Sequence, residues 1–145
     1  MFKHILLPTD GSPLSAIAIE RGIGLAKTLD ARVTGLHVIE PFRVLAGGAD
    51  MTSDTQEQYE KDSLIRAQRY LDGIAAAAKQ AGVSCDCVTE MSSHPFEAII
   101  GAAEKRGCDL IVMASHGRRG IRGLLLGSET AKVLTHTKTP VLVLR

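Results

Sequence analysis

Short apolar runs alternate along this chain with longer stretches whose apolar positions recur every three or four residues. His4-Ile5-Leu6-Leu7-Pro8 reads as a first strand, ended by Pro8. Ser12 followed by Pro13 has the pattern of a helix N-cap with proline at the first helical position. Beyond it, Ala16, Ile19, Ile23, Ala26 and Leu29 trace one apolar stripe on a helix. Arg32 to Ile39 carries β-branched residues and reads as a second strand, in which His37 is a packed residue rather than a ligand.

The periodicity fails from Glu40 to about Thr55, where Gly47, Gly48, Ser53 and Asp54 mark a mobile loop. It is longer than most connections, and loops of that length serve as lids or are disordered. Tyr59, Leu64, Ala67, Leu71, Ile74 and Ala78 then trace a long helix ending near Gly82. Val83 to Val88 alternates and reads as a third strand. Pro95 to Arg106 reads as a helix with Phe96, Ile99, Ile100 and Ala103 on one face, stopped by Gly107. Asp109 to Ala114 is an acid followed by a continuous apolar run, the pattern of a central parallel strand covered on both faces. Ser128 to about His136 is the last helix, and Pro140 to Leu144 the last strand.

Strands alternating with helices predict an α/β fold: a single open parallel five-stranded sheet with helices on both faces, in the order 3-2-1-4-5. The 145 residues fit one domain, and no repeat or composition shift divides them. Ligands of such sheets sit beyond the carboxyl ends of the strands, near the topological switch point. That rule directs attention to Pro8-Thr9-Asp10, to Val38, and to Met113 through Gly117.

Composition narrows the partners. A net charge of +1 gives no global field for nucleic acid or an anionic membrane, and with 3% aromatics and no tryptophan base-stacking platforms are hard to assemble. No apolar run reaches a membrane span of about 18 residues. The amino terminus enters a strand at once, without the pattern of an export signal. Three cysteines, Cys85, Cys87 and Cys108, fit a reducing compartment better than a disulfide framework. The expected location is the cytoplasm.

The stretch from Ala114 to Thr130 carries the chemistry. Gly117, Gly120, Gly123 and Gly127 permit tight turns and close approach of a ligand to the backbone. Gly127-Ser128 opens a helix, whose free N–H groups and positive dipole end suit a phosphate. Ser128 can cap that helix, offer its hydroxyl to a phosphate, or both. Arg118, Arg119 and Arg122 place positive charge in the same loop. The glycine spacing is neither a Walker A loop nor a dinucleotide-binding fingerprint. The opposing reading is that the glycines only make turns and the arginines form a solvated surface.

These residues resemble the universal stress protein family. Ile5-Leu6-Leu7-Pro8-Thr9-Asp10-Gly11-Ser12 is similar to the family's first strand and turn, and Pro140-Val141-Leu142-Val143 to its last strand. The family's nucleotide-binding branch carries Gly-x2-Gly-x9-Gly-Ser/Thr, and this chain has Ala114-x2-Gly117-x9-Gly127-Ser128. The departure is Ala114: its methyl is tolerated if the backbone there has negative φ, and weakens binding if φ is positive or the ribose packs tightly.

The resemblance implies that residues 1–145 form one nucleotide-binding domain of a stress-response regulator, which takes ATP with Mg2+. Asp10 and Val38 would lie beside the nucleoside, with Val38 offering backbone hydrogen bonds to adenine. Pro8, Thr9, Met113 and Ala114 would line the adenosine pocket, and Gly117, Gly127, Ser128, Glu129 and Thr130 would surround the phosphates. The Glu129 carboxylate would repel phosphate if it pointed inward, so it is expected to point away or to help hold a divalent cation. The resemblance also implies a homodimer through the last strand, Val141 to Leu144, which fits the need to cover an edge strand. The alternative function is a dimeric interaction protein of the same fold that holds no nucleotide.

Other candidates are weaker. Asp10-Gly11 is also a turn signal. His116 has no evident Ser or Cys partner, so the chain offers no convincing general base, and any ATPase activity would be slow. Cys85 and Cys87 share one face of a strand, but no second pair completes a zinc site, and they read as packing residues.

Overall fold

The computed structural model describes residues 1–43, 53–118 and 125–145. The described elements run β1 (His4–Thr9), α1 (Pro13–Leu29), β2 (Arg32–Ile39), α2 (Ser53–Ala81), β3 (Cys85–Met91), α3 (Pro95–Arg106), β4 (Leu110–Ala114), α4 (Ser128–His136) and β5 (Val141–Leu144). Their strands form one parallel sheet in the order β3-β2-β1-β4-β5, as the alternation predicts.

Side chains of β1 alternate between two cores. Ile5 and Leu7 join Val33 and Val112 with Ile23 and Ala26 of α1 and Ala78 of α2. Leu6 points to the other face and joins Leu36, Val88 and Ile111 with Ile99 and Ala103 of α3 and Val133 of α4. Helices therefore cover both faces. Sealing each such Leu or Ile contributes about 1.5–3 kcal/mol, so the central strand anchors the fold.

Several boundaries differ from the sequence pattern. Pro8 does not end β1, which continues to Thr9 and pairs Pro8 with Leu36 and Thr9 with His37. On its other side β1 pairs with β4 only at Ile5 with Leu110 and Leu6 with Ile111. By Pro8 there is no ladder on that side to interrupt, so proline costs little. The third strand begins and ends later than Val83 to Val88. Val83 donates its N–H to Ala78 O at 2.9 Å and so belongs to the end of α2, while β3 follows β2 as far as Ile39 and Met91.

Two helix stripes are also rotated. The buried face of α1 runs through Ser15, Ala18, Gly22, Ile23 and Ala26, with Ala16 exposed. Close packing on the sheet explains this: a Cβ at Gly22 would come within 2.5 Å of Leu7 Cδ2. On α2, Ser63 is buried and Leu64 exposed. That helix starts at Ser53, inside the region read as loop, while Gly47 and Gly48 lie outside the described residues.

The caps follow the sequence closely. The Ser12 hydroxyl accepts from Ser15 N at 3.2 Å, with Pro13 in the first turn. Gly107 closes α3 in the left-handed conformation at φ 67°. Among the described residues no helix is long and apolar enough to cross a membrane.

Candidate functional site

Beyond Leu6 and Ile111 no further pairing joins β1 and β4 among the described residues, at the carboxyl edge where strand order reverses and where ligands of such sheets sit. Asp10 stands at this edge. Asp10 Oδ1 accepts from Ser12 N at 2.9 Å, and Oδ2 accepts from Arg118 N at 2.8 Å. Burial alone would raise this carboxyl, but the hydrogen bonds from Ser12, Arg118 and Ser15 outweigh it and hold Asp10 below the usual carboxylate range. Asp10 is thus both a turn residue and a clamp between the β1–α1 turn and the segment after β4.

That clamp explains Gly117. A Cβ there would lie 2.0 Å from Asp10 Oδ2, a separation no side chain can adopt. Gly117 is not among the positive-φ glycines, so it supplies space rather than backbone freedom. Gly127 does the same: its N–H donates to Ser115 O at 2.7 Å, and a Cβ would meet His116 Cα at 3.1 Å. Asp30 is the one non-glycine with positive φ among the described residues, so Ala114 has the negative φ that accepts a methyl group.

The start of α4 differs in detail from the sequence reading. Gly127, not Ser128, is the N-cap, in extended backbone at φ −71° and ψ 160°, and no side chain caps the helix. The first turn therefore presents its N–H groups without a capping oxygen. Thr130 is buried, and its hydroxyl donates to Ala114 O at 3.0 Å, fixing α4 against the end of β4. Glu129 faces α3: Oε2 accepts from Phe96 N at 2.9 Å and Oε1 accepts from Lys132 Nζ at 3.4 Å. It serves the α3 N-terminus, where His94 provides no side-chain cap. Arg119, Gly120, Arg122 and Gly123 lie outside the described residues.

Pro8, Thr9 and Met113 are buried near the ends of β1 and β4, with Val38 half-buried near the end of β2. The hydroxyl of Thr9 pairs with Ser15 Oγ at 3.1 Å and accepts from Gly11 N at 3.1 Å. His37 Nδ1 meets Thr9 O at 2.8 Å, so His37 is indeed held by the strand ends.

Tyr70 of α2 escaped the sequence reading. Its ring lies over Gly11, where any Cβ would come within 2.2 Å of Tyr70 Cζ and where φ is +77°. It packs edge-on to His37 at 5.2 Å between centroids. The Arg118 guanidinium lies 5.6 Å from the ring centroid and donates to the Tyr70 hydroxyl. The available signal was spacing, because Tyr70 stands three residues after Ala67 and four before Ile74, on the flank of the buried stripe. Among the described residues no group of three or more His, Cys, Asp or Glu could hold a metal ion.

Comparison with known proteins places this arrangement in context. Residues 1–145 match the Universal stress protein family. The chain is 33% identical over 150 residues to Universal stress protein MJ0531 of Methanocaldococcus jannaschii, covering 100% of this chain and 83% of that protein. The solved structure of protein MJ0577, from the same organism, superposes with a TM-score of 0.83 at 28% identity over 99% of this chain and 96% of that one. A universal stress protein solved in complex with cAMP shares the fold at a TM-score of 0.73 and 24% identity, over 99% of this chain and 97% of that one.

Proposed function

The chain belongs to the universal stress protein family, and on that premise we propose that it is a cytoplasmic stress-response regulator that binds ATP with Mg2+ as a homodimer. The observation that carries this reading is the start of α4. An uncapped helix N-terminus opens at the carboxyl edge of the sheet, next to strand ends that the Asp10 clamp ties together.

In this reading the first-turn N–H groups of Ser128, Glu129 and Thr130 meet the phosphates, with the Ser128 hydroxyl beside them. Gly117 makes room for the Asp10 clamp, and Gly127 lets the start of α4 pack on Ser115 and His116. Pro8, Thr9, Met113 and Ala114 line the nucleoside, and Val38 offers backbone groups to adenine. Asp10, held by Ser12 N and Arg118 N, turns its carboxylate toward the ribose. The Glu129 oxygens are taken by Phe96 and Lys132, so Mg2+ would arrive held by phosphate oxygens and water. ATP supplies a cleavable phosphoanhydride when bound, while these residues bind and orient it.

The homodimer reading rests on β5, an edge strand whose Leu142 is 40% exposed. Pairing with a second β5 across a two-fold axis would cover its open edge. Light scattering at micromolar concentration is expected to give twice the chain mass, and a monomeric mass would refute the dimer.

One observation favours the nucleotide-free interaction protein instead: Tyr70 and Arg118 already lie across Gly11 and the Asp10 clamp. Denaturing the purified protein and identifying what it releases separates the two, followed by calorimetric titration with ATP, AMP and cAMP, each with and without Mg2+. Released adenine nucleotide or saturable binding supports the first reading. No release and no binding at millimolar ATP leaves the second.

A further inference from the structure

Cys85 and Cys87 lie on the same face of β3, at the edge of the sheet, with their sulfurs 3.9 Å apart. Cys87 is exposed and Cys85 half-buried, so the pair is not simply core packing. The sulfur of Cys87 occupies a hollow left by Gly35, its partner on β2, where a Cβ would come within 3.2 Å of it. The two thiols share a hydrogen bond. Donation from Cys85 holds Cys87 below the ordinary thiol range, and the same bond, together with burial, pushes Cys85 up. The shared bond therefore favours the thiolate on Cys87 and the proton on Cys85, while as a thiol Cys87 Sγ donates to Leu71 O at 3.5 Å. Cys108 is the contrast: it is buried, and burial pushes its thiol up to about 11.

We propose that Cys85 and Cys87 form a redox modification site, which a hydroperoxide converts reversibly into a disulfide within β3. The Cys87 thiolate attacks a peroxide oxygen and the O–O bond breaks. Cys87 becomes a sulfenic acid, and the departing oxygen takes a proton from solvent to leave as water or an alcohol. The Cys85 thiol then attacks the sulfenic sulfur. The S–S bond forms, the S–O bond breaks, and hydroxide leaves as water with the Cys85 proton. Two thiols are oxidised by two electrons, and one peroxide is reduced.

Geometry permits the bond and makes it labile. Residues two apart on a strand have Cα atoms roughly 6.6–6.8 Å apart, at the upper end of the range a disulfide spans. The sulfurs must close from 3.9 Å to about 2.05 Å. An edge strand is tied to the sheet on one side only, which leaves room for that adjustment. A disulfide under such strain is more oxidising than a structural one and returns readily to thiols.

The test treats the full chain with a small excess of hydrogen peroxide, followed by acid quench, alkylation and peptide mass spectrometry. The expected result is a chain lighter by two hydrogens, with Cys85 and Cys87 bridged within one peptide and Cys108 still alkylated. Dithiothreitol should restore both thiols. Bridging should outpace Cys108 oxidation at least roughly tenfold, as thiolate character dictates. Cys85→Ser should leave a sulfenic acid on Cys87 that dimedone traps, and Cys87→Ser should slow oxidation to the rate of Cys108. Equal oxidation of all three cysteines overturns the proposal, as does conversion of Cys87 to sulfinic acid or an interchain disulfide without the intrachain bridge.

Discussion

Asp109 and Asp10 stand at opposite ends of the β1–β4 pair, and each clamps backbone N–H groups from another segment. Asp109 accepts from Lys3 N at 3.1 and 2.9 Å and from His4 N at 3.0 Å, tying the start of β4 to the start of β1. Asp10 ties the end of β1 to the segment after β4. For both, burial raises the carboxyl and N–H donors lower it further, so both titrate below the usual range. The surroundings differ. At Asp109 the strands run on in register through Ile5 and Leu110. At Asp10 the strands are no longer paired, and Asp10 itself fills the space that a Gly117 side chain would take. The same kind of clamp closes paired strand ends at Asp109 and ties unpaired segments together at Asp10.

The largest effect is expected from placing a side chain at Gly117. Gly117→Ala puts a methyl where Asp10 Oδ2 lies and should break the clamp. ATP affinity should fall about tenfold or more, equivalent to about 1.4 kcal/mol, in calorimetry. Unchanged affinity would remove Gly117 from the site. Asp109→Ala tests the other end. It leaves the N–H groups of Lys3 and His4 without their acceptor and should cost about 1.5–3 kcal/mol in urea unfolding while leaving nucleotide affinity unchanged. A matching loss of affinity would mean the two ends are coupled.

A smaller effect concerns the cover over Gly11 and the Asp10 clamp. Tyr70→Phe removes the hydroxyl that holds Arg118 and should free that guanidinium for phosphate. Affinity for ATP is expected to rise roughly two- to fivefold, the worth of one exposed polar contact of about 0.5–1 kcal/mol. Weaker binding would instead make the hydroxyl part of the ligand site.

The smallest effect separates the two ends by pH. His4, beside the Asp109 clamp, is buried, and its Nε2 pairs with Thr34 Oγ1 at 2.7 Å. Burial first, then Arg32, lowers its pKa below the ordinary 6.5. The unfolded chain therefore takes up this proton before the folded one, and stability declines as pH falls below 6.5. Asp10 and Asp109 contribute only at lower pH, below their ordinary 3.8. In urea midpoints measured between those two ranges, His4→Leu should flatten the slope relative to the parent chain. An unchanged slope would assign it to other histidines.

Much of the fold was legible because it is local. Ser12-Pro13 and Gly107 mark helix ends by backbone chemistry that any context preserves. The apolar run Leu110 to Met113 is buried on both faces because only a central strand can hide it. Stripes on α1 and α2 were legible only to within a rotation, because Gly22 and Ser63 are buried by close packing rather than by hydrophobicity.

By itself, then, the sequence determined the element order, the parallel sheet, the caps at Ser12 and Gly107 and the candidate glycines, since each follows from short-range periodicity and turn chemistry. Tertiary structure alone decided what those glycines face. Gly117 answers to a carboxylate 107 positions earlier, Gly11 to the ring of Tyr70, and Glu129 to the N–H of Phe96. It also set two sulfurs of an edge strand 3.9 Å apart beside a glycine of the next strand. Contacts between segments distant in the chain depend on how whole helices seat on the sheet, and no local spacing records that seating.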